Sequence, residues 1–424
     1  MDSFILFGDI ITCNKEGKTL TYPNSYIICT NGLCQGIFKE IPNEFKDLQV
    51  KDYKNHLILP GFFDLHVHAS QYNYRGTGMD LKLLDWLDTY AFPEETKFKD
   101  LSYAKKAYSY FVEALQNTFT TRACIFATRH KAATISLMKM LEQTGLITYV
   151  GLVQMDQNAP DTLRQENAEC ALQETKEYLD ESKEFINTHP ILTPRFAPSC
   201  SDALLKGLGD LNQKVLLPVQ SHLNENPSEV AFVKELFPWS KNYSDVYDQY
   251  HLFGQTKTIM AHCIYNQADE INLMKNDNLY IAHCPESNMN ISSGIAPIKK
   301  LLENQIQVGL GSDIAGGSSI SILKAMEQAI QVSKLSYACL DKTSLPLSIT
   351  DVFNMATRIG GSFFGNVGIF DKGYEFDCLV INDSQIKSTR DFSLIERLER
   401  LVYCGDERLL VDKYCKGIEI KLNK

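Results

Sequence analysis

The chain has 424 residues, 44% of them apolar and 22% charged, with a net charge of −10. That balance belongs to a folded globular protein and excludes disordered and fibrous classes. The acidic excess gives no basic footprint for a nucleic-acid backbone or an anionic membrane, and no stretch reaches the ~18 consecutive apolar residues of a membrane span, so neither partner is expected.

From the N-terminus, 4–12 and 25–29 are short apolar stretches separated by turn-prone segments such as Asn14-Lys15-Glu16-Gly17 and Asn31-Gly32. Within 80–90, Leu83, Leu84, Trp86, Leu87 and Tyr90 gather on one helical face, as an outer helix or as a lid over a site. Between 62 and 368, eight apolar runs alternate with longer stretches of helical spacing such as 137–141 and 168–179. The runs are 62–67, 123–126, 149–153, 191–196, 216–221, 258–261, 279–282 and 307–310. Strand–helix alternation predicts a parallel sheet, and eight units predict a closed (β/α)8 barrel of the TIM type, with an open doubly wound sheet as the alternative. The C-terminal end returns to short apolar runs at 377–381, 408–411 and 418–420. The expected class is therefore α/β, with a barrel over 62–368 and a small β-sandwich domain built from both termini, 1–61 and 369–424.

Twelve cysteines occur with no C-x-x-C pair, and the start, Met1-Asp2-Ser3-Phe4, has no basic leader. In a chain of this size that favours buried reduced thiols, and a cytoplasmic protein is expected.

The chemistry lies just after the apolar runs. Phe62-Phe63-Asp64-Leu65 leads into His66-Val67-His68, and alternation along a strand points both imidazoles the same way, towards a shared metal ion. The run at 216–221 ends in His222, that at 258–261 in His262, that at 279–282 in His283, and the run at 307–310 leads to Asp313. Six metal-competent side chains at five strand ends stand out in a chain with nine histidines. In a barrel these ends converge on one face. Histidines such as His56, His130 and His189 lack this placement and are read as structural or surface residues. Imidazole and carboxylate ligands suit Zn²⁺ or Fe²⁺, and no thiolate joins the set. Such an ion lowers the pKa of water towards neutrality, and Glu225, three residues beyond His222, is placed to carry protons. The H-x-E…P-C-x-x-C pattern of cytidine-type deaminases is absent, as are P-loop and G-x-G-x-x-G turns.

These residues resemble the amidohydrolase superfamily, in its guanine deaminase branch. The branch-specific stretches are Pro60-Gly61-Phe62-Phe63-Asp64-Leu65-His66-Val67-His68-Ala69-Ser70-Gln71-Tyr72, Leu83-Leu84-Asp85-Trp86-Leu87 and Tyr90-Ala91-Phe92-Pro93. Thr193-Pro194-Arg195-Phe196, Ser221-His222-Leu223-Asn224-Glu225, Ala282-His283-Cys284-Pro285 and Gly311-Ser312-Asp313-Ile314-Ala315-Gly316-Gly317 extend the likeness along the chain. The resemblance implies one Zn²⁺ per subunit held by His66, His68, His222 and Asp313, a ligand set that Fe²⁺ also fits. It implies Glu225, His262 and Asp313 as catalytic residues, and Gln71, Trp86, Arg195, Phe196, Glu225 and Asp313 as the residues around the substrate guanine. It further implies xanthine and ammonia as products and a homodimer as the assembly. His283 is read as a residue behind the ligands. No Lys follows the fourth run, which favours one metal over two. Ser312, Glu286 and Arg129 depart from the pattern. The alternatives are deamination of another aminated heterocycle (a pterin, cytosine or a triazine) and a non-catalytic scaffold.

Overall fold

A computed structural model describes residues 3–422. Four strands come first: β1 (Phe4–Cys13), β2 (Thr19–Thr30), β3 (Leu33–Phe38) and β4 (Gln49–Pro60). The middle of the chain supplies β5 (Phe62–His68), β6 (Thr120–Phe126), β7 (Ile147–Gly151), β8 (Val153–Gln154), β9 (Thr188–Pro190) and β10 (Thr193–Pro194). It continues with β11 (Val219–Leu223), β12 (Thr258–His262), β13 (Tyr280–His283) and β14 (Gln307–Leu310). The last strands are β15 (Cys378–Ile381), β16 (Leu410–Cys415) and β17 (Ile418–Glu419).

The two ends of the chain do meet. They form one seven-stranded mixed sheet in the order β17-β16-β15-β4-β1-β2-β3, with β15 antiparallel to β4. Alternation explains why these strands read as nearly continuous apolar runs. Phe4, Leu6, Ile10, Ile58, Cys378, Val380 and Tyr414 pack into a cluster belonging to the sheet itself. Ile11, Leu57, Leu59, Leu379 and Ile381 face the other way, into the main core beside Phe62 and Phe119. The expected two-sheet sandwich is thus a single sheet in its hydrogen bonding. Shifts of register at Gly8–Ile10 and Phe7–Asp9 raise its local twist, as bulges do.

The central strands are parallel throughout, in two four-stranded sheets, β5-β6-β7-β9 and β11-β12-β13-β14, with a short β8–β10 pair. The sheets approach along both edges. On one side Leu192 N donates to Pro218 O at 3.0 Å and Gln220 N to Leu192 O at 2.9 Å. On the other, Asp313 N donates to His66 O at 2.9 Å and His68 N to Ile314 O at 3.3 Å. Helices such as Leu101–Gln116, Lys131–Glu142, Ala168–Glu181 and Asp202–Val215 fill the connections, several started by side-chain caps such as Asp100, Asn167 and Ser201. The fourth strand, expected over 191–196, is instead β9 just ahead of that range and the two-residue β10 within it, because Pro190 and Pro194 have no N–H to give to a ladder and the chain changes partners between them.

At the start of β6, remote from the strand ends that carry the histidines, the terminal sheet is fastened by buried charge. Arg122 grips Asp377 with Nε at 2.8 Å and a terminal nitrogen at 2.7 Å. Lys413 Nζ donates to the carbonyls of Gln116, Thr118 and Thr120 at 2.7, 2.9 and 3.0 Å. Nine of the twelve cysteines are buried free thiols, as expected; Cys170 is half-buried, and Cys339 and Cys404 are exposed. No helix among the described residues is long and apolar enough to cross a membrane.

Candidate active site

The carboxyl ends of the parallel strands converge. His66 and His68, two residues apart on β5, bring their Nε2 atoms to 3.2 Å, and His222 of β11 brings its own to 3.2 Å from His68. Asp313 Oδ1 lies 3.2 Å from His66 Nε2 and 3.5 Å from His68 Nε2. Neutral imidazoles cannot satisfy such a crowd of nitrogens with hydrogen bonds among themselves, since each ring has only one N–H. His222 has already spent its N–H, donating from Nδ1 to Arg195 O at 2.6 Å, so its Nε2 offers a lone pair. Ligand atoms placed tetrahedrally about one Zn²⁺ at about 2.0–2.1 Å would stand about 3.3 Å apart, so the donor set fits a single divalent cation.

Electrostatics favours the same protonation states. Burial holds the His68 and His222 imidazoles well below their usual range, with the neighbouring His66 adding to it, so both keep lone pairs. Burial alone would raise Asp313, but the adjacent His66 and His262 hold its carboxyl well below the usual range. The backbone is strained here as well: His262 and Asp313 have φ of 73° and 46°, and Asn224, beside Glu225, 52°. Non-glycine residues rarely adopt this left-handed region, and such outliers gather at functional sites.

Glu225 and His262 stand beside these donors, and His262 has a ring nitrogen within 4.8 Å of ligand atoms of His66 and His222. His262 Nε2 is 3.5 Å from Glu225 Oε2 and 3.6 Å from Asp313 Oδ2, while its Nδ1 donates to Asn288 Oδ1 at 2.9 Å. Burial pushes the Glu225 carboxyl up to about 7. A group poised there can both give and take a proton near neutrality. Ser293 Oγ donates to its Oε1 at 3.0 Å, leaving Oε2 towards His262.

A cavity opens onto these groups. Its walls include Gln71, Trp86, Arg195 and Phe196, with Leu83, Leu87 and Ile291 supplying apolar surface. The segment Leu83–Trp86 and the π-helical turn Leu87–Ala91 that follows are therefore a wall of the cavity rather than an outer helix alone. Nine of the ten residues singled out from the sequence line this space, and the tenth, His66, lies beneath it and fully buried. His283 is buried and outside every metal-competent cluster among the described residues.

Four further residues belong to the neighbourhood. Asp64 accepts from His66 N and Ser312 N, both at 3.1 Å, and from Ser312 Oγ at 2.5 Å. Glu95 accepts from Gln71 and Arg195, and Asn288 fixes His262. Cys284 lies with its Sγ within 4.8 Å of ligand atoms of His262 and Asp313. Burial pushes that thiol well above its usual range. Glu286 faces away, accepting from Ser318 Oγ at 2.5 Å and Ser319 N at 3.2 Å.

Comparison with known proteins places this geometry among relatives. The model of the amidohydrolase family matches residues 57–404. A guanine deaminase of Dictyostelium discoideum is 36% identical over 98% of this chain and 97% of its own length. The guanine deaminase of Homo sapiens is 36% identical over 89% of this chain and 86% of its own. A crystal structure of guanine deaminase from C. acetobutylicum, with guanine bound in the active site, superposes with a TM-score of 0.96 at 46% identity, covering 99% of this chain and all of that one.

Proposed function

The chain belongs to the amidohydrolase family, and from that premise we propose that it deaminates guanine hydrolytically, taking up water and giving xanthine and ammonia. One observation carries the reading: a single cavity is lined by Glu225, Asp313, His68 and His222, with His66 behind them, together with Arg195, Gln71 and Phe196. Arg195 donates to the purine carbonyl oxygen, Gln71 to the ring edge, and Phe196 and Trp86 pack on the ring. That pose turns the exocyclic amine towards Glu225.

His66, His68, His222 and Asp313 would hold the cation, and zinc is the metal proposed from this nitrogen and carboxylate set. When bound, it makes a water molecule acidic enough to ionise near neutral pH. Asp313 accepts the proton that water loses, and His262 orients the attacking oxygen through its Nε2. Oxygen adds to C2 of guanine as Glu225 protonates the adjacent ring nitrogen. Glu225, left as a carboxylate, takes the proton of the new C2 hydroxyl and passes it to the amine. The C–N bond breaks as the C2 carbonyl forms, ammonia leaves with xanthine behind, and the proton held by Asp313 restores Glu225. Arg195-Phe196 stands where a metal-bridging Lys would be needed for a second ion, which supports one metal per chain.

The parallel sheets are read as one eight-unit barrel over 62–368, supported by the hydrogen bonds between them on both edges, with the terminal sheet as a second unit from 1–61 and 369–424. The decisive experiment measures ammonia and metal in the same sample. Wild type should release ammonia from guanine; Glu225→Gln should abolish release with metal near one per chain. A fully active Glu225→Gln, or a wild type inert towards guanine, refutes the reading.

A further inference from the structure

Glu95 makes no hydrogen bond to the metal-competent residues, yet it holds two other residues of the cavity wall. It sits in the short helix Phe92–Thr96, is 1% exposed, and its two carboxylate oxygens are divided between two wall residues. Gln71 Nε2 donates to Oε1 at 2.9 Å, and an Arg195 terminal nitrogen donates to Oε2 at 2.5 Å. The remaining polar atom of the Gln71 amide, Oε1, accepts from Ala315 N at 3.0 Å. Both ends of that amide are thus pinned, and its second N–H is left over for the cavity. Arg195 is 3% exposed and lies over the Phe92 ring at 5.2 Å, with most of its five donors unspent by Glu95. Through these two side chains the wall offers N–H groups, the Gln71 carbonyl being taken by Ala315 N.

The pair also fixes charge. A guanidinium buried without a counter-ion would attract any anion small enough to enter. Paired with Glu95, Arg195 keeps its donors but loses its net pull. Glu94 is already engaged by Lys97 and Tyr103. The other titratable groups around the pair are His68, Tyr74, Tyr108 and Asp313.

Resting on the proposed deamination, we propose that Glu95 is a positioning residue that makes this wall a charge-neutral row of donors, admitting neutral 6-oxopurines and disfavouring anionic ones. The consequence concerns the product. Replacing the 2-amino group of guanine by a carbonyl gives the six-membered ring a second lactam N–H, and xanthine ionises more readily than guanine. A neutral wall lets the xanthine anion go; a bare guanidinium would hold it.

The test uses the metal-loaded full chain and calorimetric dissociation constants for two ligands, below and above the first ionisation of xanthine. Hypoxanthine, a 6-oxopurine without the second carbonyl, serves as the neutral control. In wild type the affinity for xanthine relative to hypoxanthine should not rise as xanthine ionises. In Glu95→Gln it should rise by about tenfold or more, while Glu95→Asp, which keeps the charge, should return to the wild-type ratio. Equal shifts for both ligands in Glu95→Gln would overturn the proposal and leave Glu95 as packing. Should that variant not fold, wild type decides: a relative gain for ionised xanthine overturns the proposal, and none supports it. Guanine turnover assayed in the same wild-type sample keeps failure of the deamination reading separate from failure of this one.

Discussion

At β5 the carboxylate of Asp64 spans the two strand ends that carry His66 and Asp313, accepting a backbone N–H from each side and the Ser312 hydroxyl. Burial pushes its carboxyl up to about 7, against those three donors. Asp64→Ala would leave all three donors unpaired and let the ligand strands drift. Metal affinity, read by competition with a chelator, should fall by about 10–100-fold. Asp64→Asn should lose less, because its oxygen retains the two backbone donors and its amide can donate to Ser312 Oγ. Residues of this kind were silent in the sequence. The H-x-H pair announced itself by strand periodicity, whereas Asp64 reads as one more strand residue and Glu95 as an ordinary acidic residue in the first turn of a helix. Only the fold gives those carboxylates their partners, at separations in sequence of 248 and 100 residues.

The strands place the histidines by close approach, and glycine is what permits it. A Cβ on Gly311 would stand 2.8 Å from His66 Cβ and 2.9 Å from Cys284 Sγ. Gly311→Ala must therefore push the end of β14 off β5. It should cost about 1–3 kcal/mol in urea unfolding, as overpacking does, and lower the metal retained per chain. A result with unchanged metal content would mean that the strand ends yield without moving the ligands. Eight apolar runs located the parallel strands well, since buried parallel strands are apolar on both faces. The same continuity hid the break between β9 and β10, where only the prolines at 190 and 194 interrupt the pattern. It also left β3 unseen, whose residues are mostly half-buried and carry little period.

Across the whole molecule, the terminal sheet and the parallel core are joined by charges that have been taken out of water. Lys413 is fully buried, and burial pushes its ammonium down to about 7. In the unfolded chain this lysine stays protonated to about pH 10.4. Between those values the unfolded state binds more protons, so stability gains from this site as pH rises through the window and loses the gain as pH falls back through 7. Wild type compared with Lys413→Met should therefore gain by up to about 1.4 kcal/mol per pH unit from neutrality upwards, measured by urea unfolding at several pH values. A constant difference across that range would show that the three carbonyls keep the ammonium charged. That the ends of the chain associate was legible in their shared strand-like composition. The order of the sheet was not, because register depends on partners that sequence distance conceals.

That order has a consequence for biosynthesis. Residues 57–60 of β4 wait for β15, which begins at Cys378, before their free backbone edge is covered. A ribosome must translate more than three hundred codons between the two halves of that pairing. The nascent polypeptide thus carries an adhesive β-edge for most of its elongation, and messages cut short upstream of β15 should yield material that depends on holdase chaperones rather than a smaller working enzyme.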